Sequence, residues 1–287
     1  MTAITETNRL NDLLKWEQDN YFSREKITVL SGQNLLGNEV VAKVKTSCPT
    51  TGTAGGSNTG DGTCTSVTAG NQVIEGTYTL TCIAAATNSG TFEVRNPNDI
   101  TLGQATVGSA YTSKEINFTI NDGDTDFVVG DVFTIAVSAG SGKIVELDYT
   151  AVTGAEDPIG FVIADYDASS ADKEGVAIVR DALIVESALI WPVKFTSGGT
   201  DEIKAGDTIT GASSGETAVV RRVTLSSGTW AGGDAAGTML VDHLTGDFSA
   251  ENIKLPGGTN DATVAATATV AGLATLKSLG IIVREEA

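Results

Sequence analysis

The stretch that most constrains this chain is Pro158–Pro192, PIGFVIADYDASSADKEGVAIVRDALIVESALIWP. It is the densest apolar region in an otherwise polar, Gly-rich sequence. Its apolar residues recur every second position: Phe161 and Ile163, then Val176 and Ile178, which is the signature of half-buried strands. Asp165–Gly175 between these runs is rich in Asp, Ser and Ala and reads as a connecting turn. The segment ALIVESALIWP reads as a strand pair or a short helical turn. In both cases Leu183, Val185, Leu189, Ile190 and Trp191 must be buried, and Pro192 is expected to end it.

The rest of the chain shares this texture. Among 287 residues there are 33 Gly, 41% hydrophobic and only 6% aromatic residues, which favours a mainly β protein with many turns. The formal charge of −18 and a pI near 4.3 argue against a nucleic-acid partner, because the 18 basic residues are scattered rather than clustered to displace counterions. No run of apolar residues is long enough for a membrane-spanning helix, and the polar, acidic start does not read as a signal peptide. Cys48, Cys64 and Cys82 have no Cys-x-x-Cys spacing. Cys48 and Cys64 flank a Gly/Thr-rich loop, so a disulfide between them and three isolated thiols both remain open.

Taken in order, RLNDLLKWEQDNYF places Leu10, Leu13, Leu14 and Trp16 on one face of a short helix, with Asn8 as a cap. Such a helix is marginal alone. Its apolar residues dock either on the chain's own core or, as an arm, on another protein. Ile27–Lys45 reads as a hairpin around a Gly/Asn turn, and Cys48–Thr63 as a loop too poor in apolar residues to order itself. From Ser66 to Ser141, alternating runs such as GTYTLTCIAAA and EINFTIND fit a small antiparallel sandwich. From Thr196, short runs around Ile209, Val219, Val223, Met239 and Phe248 fit a compact barrel or meander. Val270–Leu279 is expected as a helix closed by Gly280, and Ile281–Arg284 as a last strand.

Candidate chemistry is sparse. His243 is the only histidine and reads as a structural residue beside a turn. GASSG, Gly211–Gly215, matches a nucleophile-elbow pattern, but the β-branched text after it is poor for the required helix, so a hairpin turn explains it better. Asp122, Asp124 and Asp126 alternate as calcium-loop ligands do, yet the Gly and Glu of a full loop are missing. GSGK, Gly140–Lys143, lacks the rest of a phosphate loop. No cofactor, metal or catalytic residue is nominated, and no enzyme activity is expected.

The strand, the DASS turn, Ala177-Ile178-Val179-Arg180, the apolar segment ending in Trp191-Pro192, and the terminal LATLKSLGIIVRE occur here in the order seen in the lambda-D-like head decoration proteins of tailed bacteriophages, which this sequence resembles. One departure is an interval of about eighty residues between Trp191-Pro192 and the terminal helix, where that family usually has a short connection. The strand pattern and the resemblance together give a mainly β fold: a small β-rich decoration core (27–47, 143–197 and 269–287), as the resemblance implies, with two inserted modules read from their own strand patterns, one sandwich-like (48–142) and one barrel-like (198–268), a short C-terminal helix, and, by the resemblance, an N-terminal capsid-binding arm (1–26).

The function implied is that of a cement protein on the outer surface of the mature virion capsid. It would be a homotrimer at three-fold and quasi-three-fold positions, binding the major capsid protein and resisting DNA pressure, with no nucleic-acid or membrane partner. Leu10, Leu13, Leu14, Trp16, Tyr21, Phe22 and Trp191 are the expected capsid contacts. The alternative is a glycan-binding module or adhesin of a phage fibre, with Trp230 as sugar-stacking candidate or buried anchor.

Overall fold

The computed structural model describes residues 10–199, 201–258 and 261–284; Asn8 and the first residues of the expected arm lie outside them. In chain order, α1 (Leu10–Leu13), β1 (Leu14–Glu17) and α2 (Asn20–Ser23) lead into β2 (Arg24–Val29), β3 (Gln33–Leu35) and β4 (Val40–Lys43). There follow β5 (Thr46–Ser47), β6 (Thr53–Ala54), β7 (Thr63–Ala69), β8 (Gly76–Ala86), β9 (Ser89–Arg95), β10 (Thr101–Thr106), β11 (Ala110–Tyr111), β12 (Ile116–Asn121) and β13 (Val132–Ala139). Next come β14 (Ile144–Glu146), β15 (Pro158–Val162), β16 (Tyr166–Ala168), β17 (Lys173–Ile178), β18 (Ala182–Val185) and a 3-10 turn at Glu186–Ala188. The last elements are β19 (Trp191–Gly198), β20 (Thr208–Gly211), β21 (Thr217–Ser227), β22 (Ala235–Asp242), β23 (Glu251–Lys254), β24 (Ala262–Val264), α3 (Thr269–Ser278) and β25 (Ile281–Arg284). The protein is mainly β, with one short helix near its C-terminal end.

The chain divides into two compact units, one of Met1–Lys43, Lys143–Thr150 and Ala155–Ala287, the other of Val44–Gly142 with Ala151–Gly154. The second is a sandwich. Its strands form one sheet in the order β10-β9-β8-β13-β5, with β6 also on β13, and another in the order β11-β12-β7. Alternation along β9 and β12 turns Phe92, Val94, Ile116, Phe118 and Ile120 inward. The rings of Phe92, Phe127 and Phe133 meet at 5.1–5.9 Å between centroids, and each buried ring of this kind contributes about 1.5–3 kcal/mol.

The Gly/Thr-rich segment after Cys48, expected to be unable to order itself, is folded onto this core. A Cβ on Gly60 would stand 2.5 Å from the Phe127 ring, and one on Gly62 would stand 2.3 Å from the Asn121 carbonyl oxygen. Here glycine permits close backbone approach. The buried Asp131 carboxylate then accepts from Thr59 N (2.8 Å), Gly60 N (2.9 Å) and Val128 N (3.0 Å). Burial alone would raise the Asp131 pKa; these donors outweigh it and hold it below 3.8. The segment is ordered by backbone donors, which a count of apolar side chains does not register.

In the other unit, β14-β2-β17-β15-β4 close into a five-stranded barrel around Ile27, Val29, Val41, Ile144, Val162 and Ala177. β2 pairs along its length with β17, from Arg24↔Ile178 to Val29↔Lys173, and in parallel with β14. The expected 27–45 hairpin is therefore absent: β4 lies between β14 and β15, and β3 pairs with β16, which falls inside the expected Asp165–Gly175 turn. Too many residues separate β2 from β4 for a tight turn to impose their pairing. Gly160 (φ +148) marks a bulge in β15, where a Cβ would stand 2.0 Å from the Ile178 carbonyl oxygen.

The same unit holds a second closed barrel, β19-β22-β21-β20-β23-β24. Pro192 does not end the organising stretch but lies within β19, opposite Leu240. β24 pairs with β19 only at Phe195 and Thr196, so at Pro192 the missing N–H faces no strand ladder. Since β19 runs from Trp191 to Gly198, the barrel starts before the expected module boundary at 198. α3 begins where Asp247 accepts from Thr269 N (2.6 Å) and buries Leu273 and Leu276. Gly280 (φ +80) follows it and turns the chain into β25.

Candidate functional site

The residues expected to make external contacts start with the stretch Leu10–Ser23. β1 pairs antiparallel with β18, which pairs in parallel with β25, giving the three-stranded sheet β1-β18-β25. One face of this sheet is internal: Ile184 and Ile281 are fully buried, and Leu13 of the preceding helix α1 is buried as well. Residues opposite one another across a ladder share a face. Trp16 is opposite Leu183 and Leu183 is opposite Ile282, so these three form an apolar row on the outer face, with Trp16 55% and Ile282 57% exposed.

α2 carries the next two side chains. Asp19 caps it by accepting from Tyr21 N (2.7 Å). Tyr21 is almost wholly exposed and Phe22 half so. The Arg180 guanidinium sits 5.5 Å from the Phe22 ring centroid and donates to the Phe22 carbonyl oxygen at 3.1 Å. Arg24 and Glu17 form a two-pronged ion pair (2.6 and 2.9 Å). Ser23 Oγ donates to the Asp181 carbonyl oxygen (2.9 Å), and Val179 N donates to that of Ser23 (3.0 Å).

The expected surface residues therefore separate. Trp16, Tyr21 and Phe22 project outward, and Leu10 and Leu14 are half-buried. Leu13 and Trp191 belong to the protein's own interior and offer no side chain to a partner. Trp191 is covered by α3, where a Cβ on Gly272 would stand 2.9 Å from its ring. The described part of the expected arm is fastened to the fold, and Arg24–Lys26 is barrel strand. Ile282 was not anticipated; its exposure follows from its parallel register with Leu183, which no local pattern encodes.

The remaining candidates are structural. Ser213 lies in the β20–β21 hairpin turn, where its N–H and that of Ser214 donate to Glu251 at 2.5 and 2.9 Å. Burial would raise the Glu251 pKa, but the Ser214 side chain, these two N–H donors and Ser249 bring it down to about 2. His243 Nδ1 lies 2.9 Å from the buried Asp242, which also pairs with Arg221 at 2.6 Å. Trp230 stacks on Phe195 (5.3 Å between centroids, 10° between planes) and is buried, so it is an anchor for the barrel. Cys48, Cys64 and Cys82 are free thiols, with burial pushing Cys64 up to about 11. Among the described residues, no group of three or more His, Cys, Asp or Glu is arranged to hold a metal.

The scaffold is mainly β with an outward apolar row, and one family model covers most of it. Bacteriophage lambda head decoration protein D matches residues 3–206. That is well over half of the chain, and the chain belongs to this family of structural proteins of the virion capsid. The match ends before β20, so most of the six-stranded barrel, α3 and β25 fall outside it. No curated protein and no solved structure matches the chain.

Proposed function

We propose that the protein is a non-enzymatic cement that binds the outer surface of the mature head through the major capsid protein and stabilises it against internal DNA pressure. The observation that carries this reading is the family match over residues 3–206. The exposed side chains of Trp16, Tyr21 and Phe22 support it as the contact surface, with Leu183 and Ile282 extending the row. In this reading the subunits assemble as homotrimers at three-fold and quasi-three-fold positions, so that several weak contacts act together. The glycan-binding alternative loses its stacking candidate, because Trp230 has its ring against Phe195.

The test uses heads lacking this protein, incubated with saturating amounts of the purified full chain. Bound copies per head and survival on heating are measured together. Binding with raised survival is expected, and Trp16→Ala combined with Tyr21→Ala should lower occupancy while leaving the melting temperature of the free protein within a few degrees. Equal survival with and without bound protein would overturn the cement reading.

A further inference from the structure

The two barrels of the larger unit meet along a seam that contains a buried acid. Glu39 precedes β4 and is fully buried. The backbone around it is woven between the barrels: Asn38 N donates to Val162 (2.8 Å), Val40 N to Ile190 (2.9 Å) and Ile190 N to Asn38 (3.0 Å). Ile190 immediately precedes β19, the first strand of the six-stranded barrel. Glu39 Oε2 accepts from Leu36 N at 2.8 Å, while Oε1 has no hydrogen-bond partner among the described residues.

The charged groups facing Glu39 come from three elements. β14 brings Glu146, the turn after β15 brings Asp165, and β21 of the other barrel brings Arg222. Arg222 donates to the Asn34 carbonyl oxygen, and its charge is shared with Glu146, which also feels Lys194 and Asp148 and is bonded to Thr238. One guanidinium thus serves two largely buried carboxyls, while Asp165 adds a further negative charge. An ionised Glu39 would leave a charged oxygen unpartnered in the interior; a neutral one leaves only a weak dipole there.

We propose that Glu39 is a proton-operated latch between the two barrels: neutral, it lets the seam close; ionised, it loosens the seam. The direction of titration agrees. Burial first, then Glu146, raises the Glu39 pKa well above 4.5. The folded state therefore holds this proton at pH values where the unfolded chain has lost it. Its stabilisation is complete below about pH 4.5 and is lost as pH rises towards the folded-state value, with the folding constant falling by about tenfold per pH unit inside that window.

The experiment follows thermal melting and amide exchange of the full chain from about pH 5 to about pH 9, for wild type, Glu39→Gln and Glu146→Gln. Wild type should lose melting temperature as pH rises, and the Val40 and Ile190 amides should lose protection beyond the intrinsic change in exchange rate. Glu39→Gln, permanently neutral, should remove most of that slope; Glu146→Gln should retain it in shallower form. Infrared spectra of wild type supply a readout that needs no variant: a neutral-carboxyl band should persist above the pH at which a free glutamate ionises and vanish on further alkalinisation together with seam protection. Equal slopes in wild type and Glu39→Gln would overturn the latch, as would absence of any neutral-carboxyl band from wild type above the pH at which a free glutamate ionises.

Discussion

The sandwich and the five-stranded barrel are both small β structures, yet they draw on the chain in opposite ways. The strands of the sandwich all fall between Thr46 and Ala139, and neighbours such as β8–β9 and β9–β10 follow one another directly. The barrel takes strands from 24–29, 40–43, 144–146, 158–162 and 173–178, and adds a parallel pair. The first combines local hairpins with longer pairings such as β7–β12 and β8–β13, all inside one continuous segment. The second requires pairings between distant segments, each of which must overcome loop-closure entropy before it contributes. The difference teaches that burial pattern and pairing pattern carry different information: both structures bury alternate residues, but only the sandwich draws its strands from one continuous segment.

The strongest test of this contrast is excision. Gly142 N donates to the Val44 carbonyl oxygen at 3.0 Å, so the chain leaves the sandwich unit where it entered. We propose that replacing 45–141 with a short Gly/Ser loop abolishes one calorimetric transition and preserves the other; loss of both would show a shared core. A smaller effect is expected from Phe92→Ala, which empties the centre of the aromatic cluster. It should cost the sandwich about 3–5 kcal/mol and shift only that transition. Smallest is Asp131→Asn, expected to cost about 1.5–3 kcal/mol at neutral pH. Because the folded pKa of Asp131 lies below 3.8, its contribution is present above that value and fades as pH falls beneath it. The melting difference between wild type and variant should therefore close in acid; a constant gap would mean that the lost interaction is packing and not charge.

Legibility followed the same division. The alternation in GTFEVRN and INFTIND exposed the inward residues of the sandwich, and Leu273, Leu276 and Gly280 marked the helix and its end. The 27–45 segment misled because two apolar runs near in sequence suggest a hairpin, whereas their partners lie more than a hundred residues away. Pro192 misled because its tolerance depends on where β24 stops. At the candidate surface, Trp16, Tyr21 and Phe22 were legible as apolar residues in polar text. The separation of Trp16 from Leu14 was not, since it depends on a bulge in β1 between these two residues.

The sheet β1-β18-β25 also sets a timetable for synthesis. β1 is complete at residue 17, but its partner β18 starts at residue 182 and the strand on the other side of β18 ends at residue 284. At roughly 5–20 residues per second, β1 spends tens of seconds in the nascent chain before the three strands can coexist. Until β18 has been made, Trp16 has no Leu183 beside it. The apolar row thus comes into being among the last features of the molecule, after the sandwich has had all its strands available to fold.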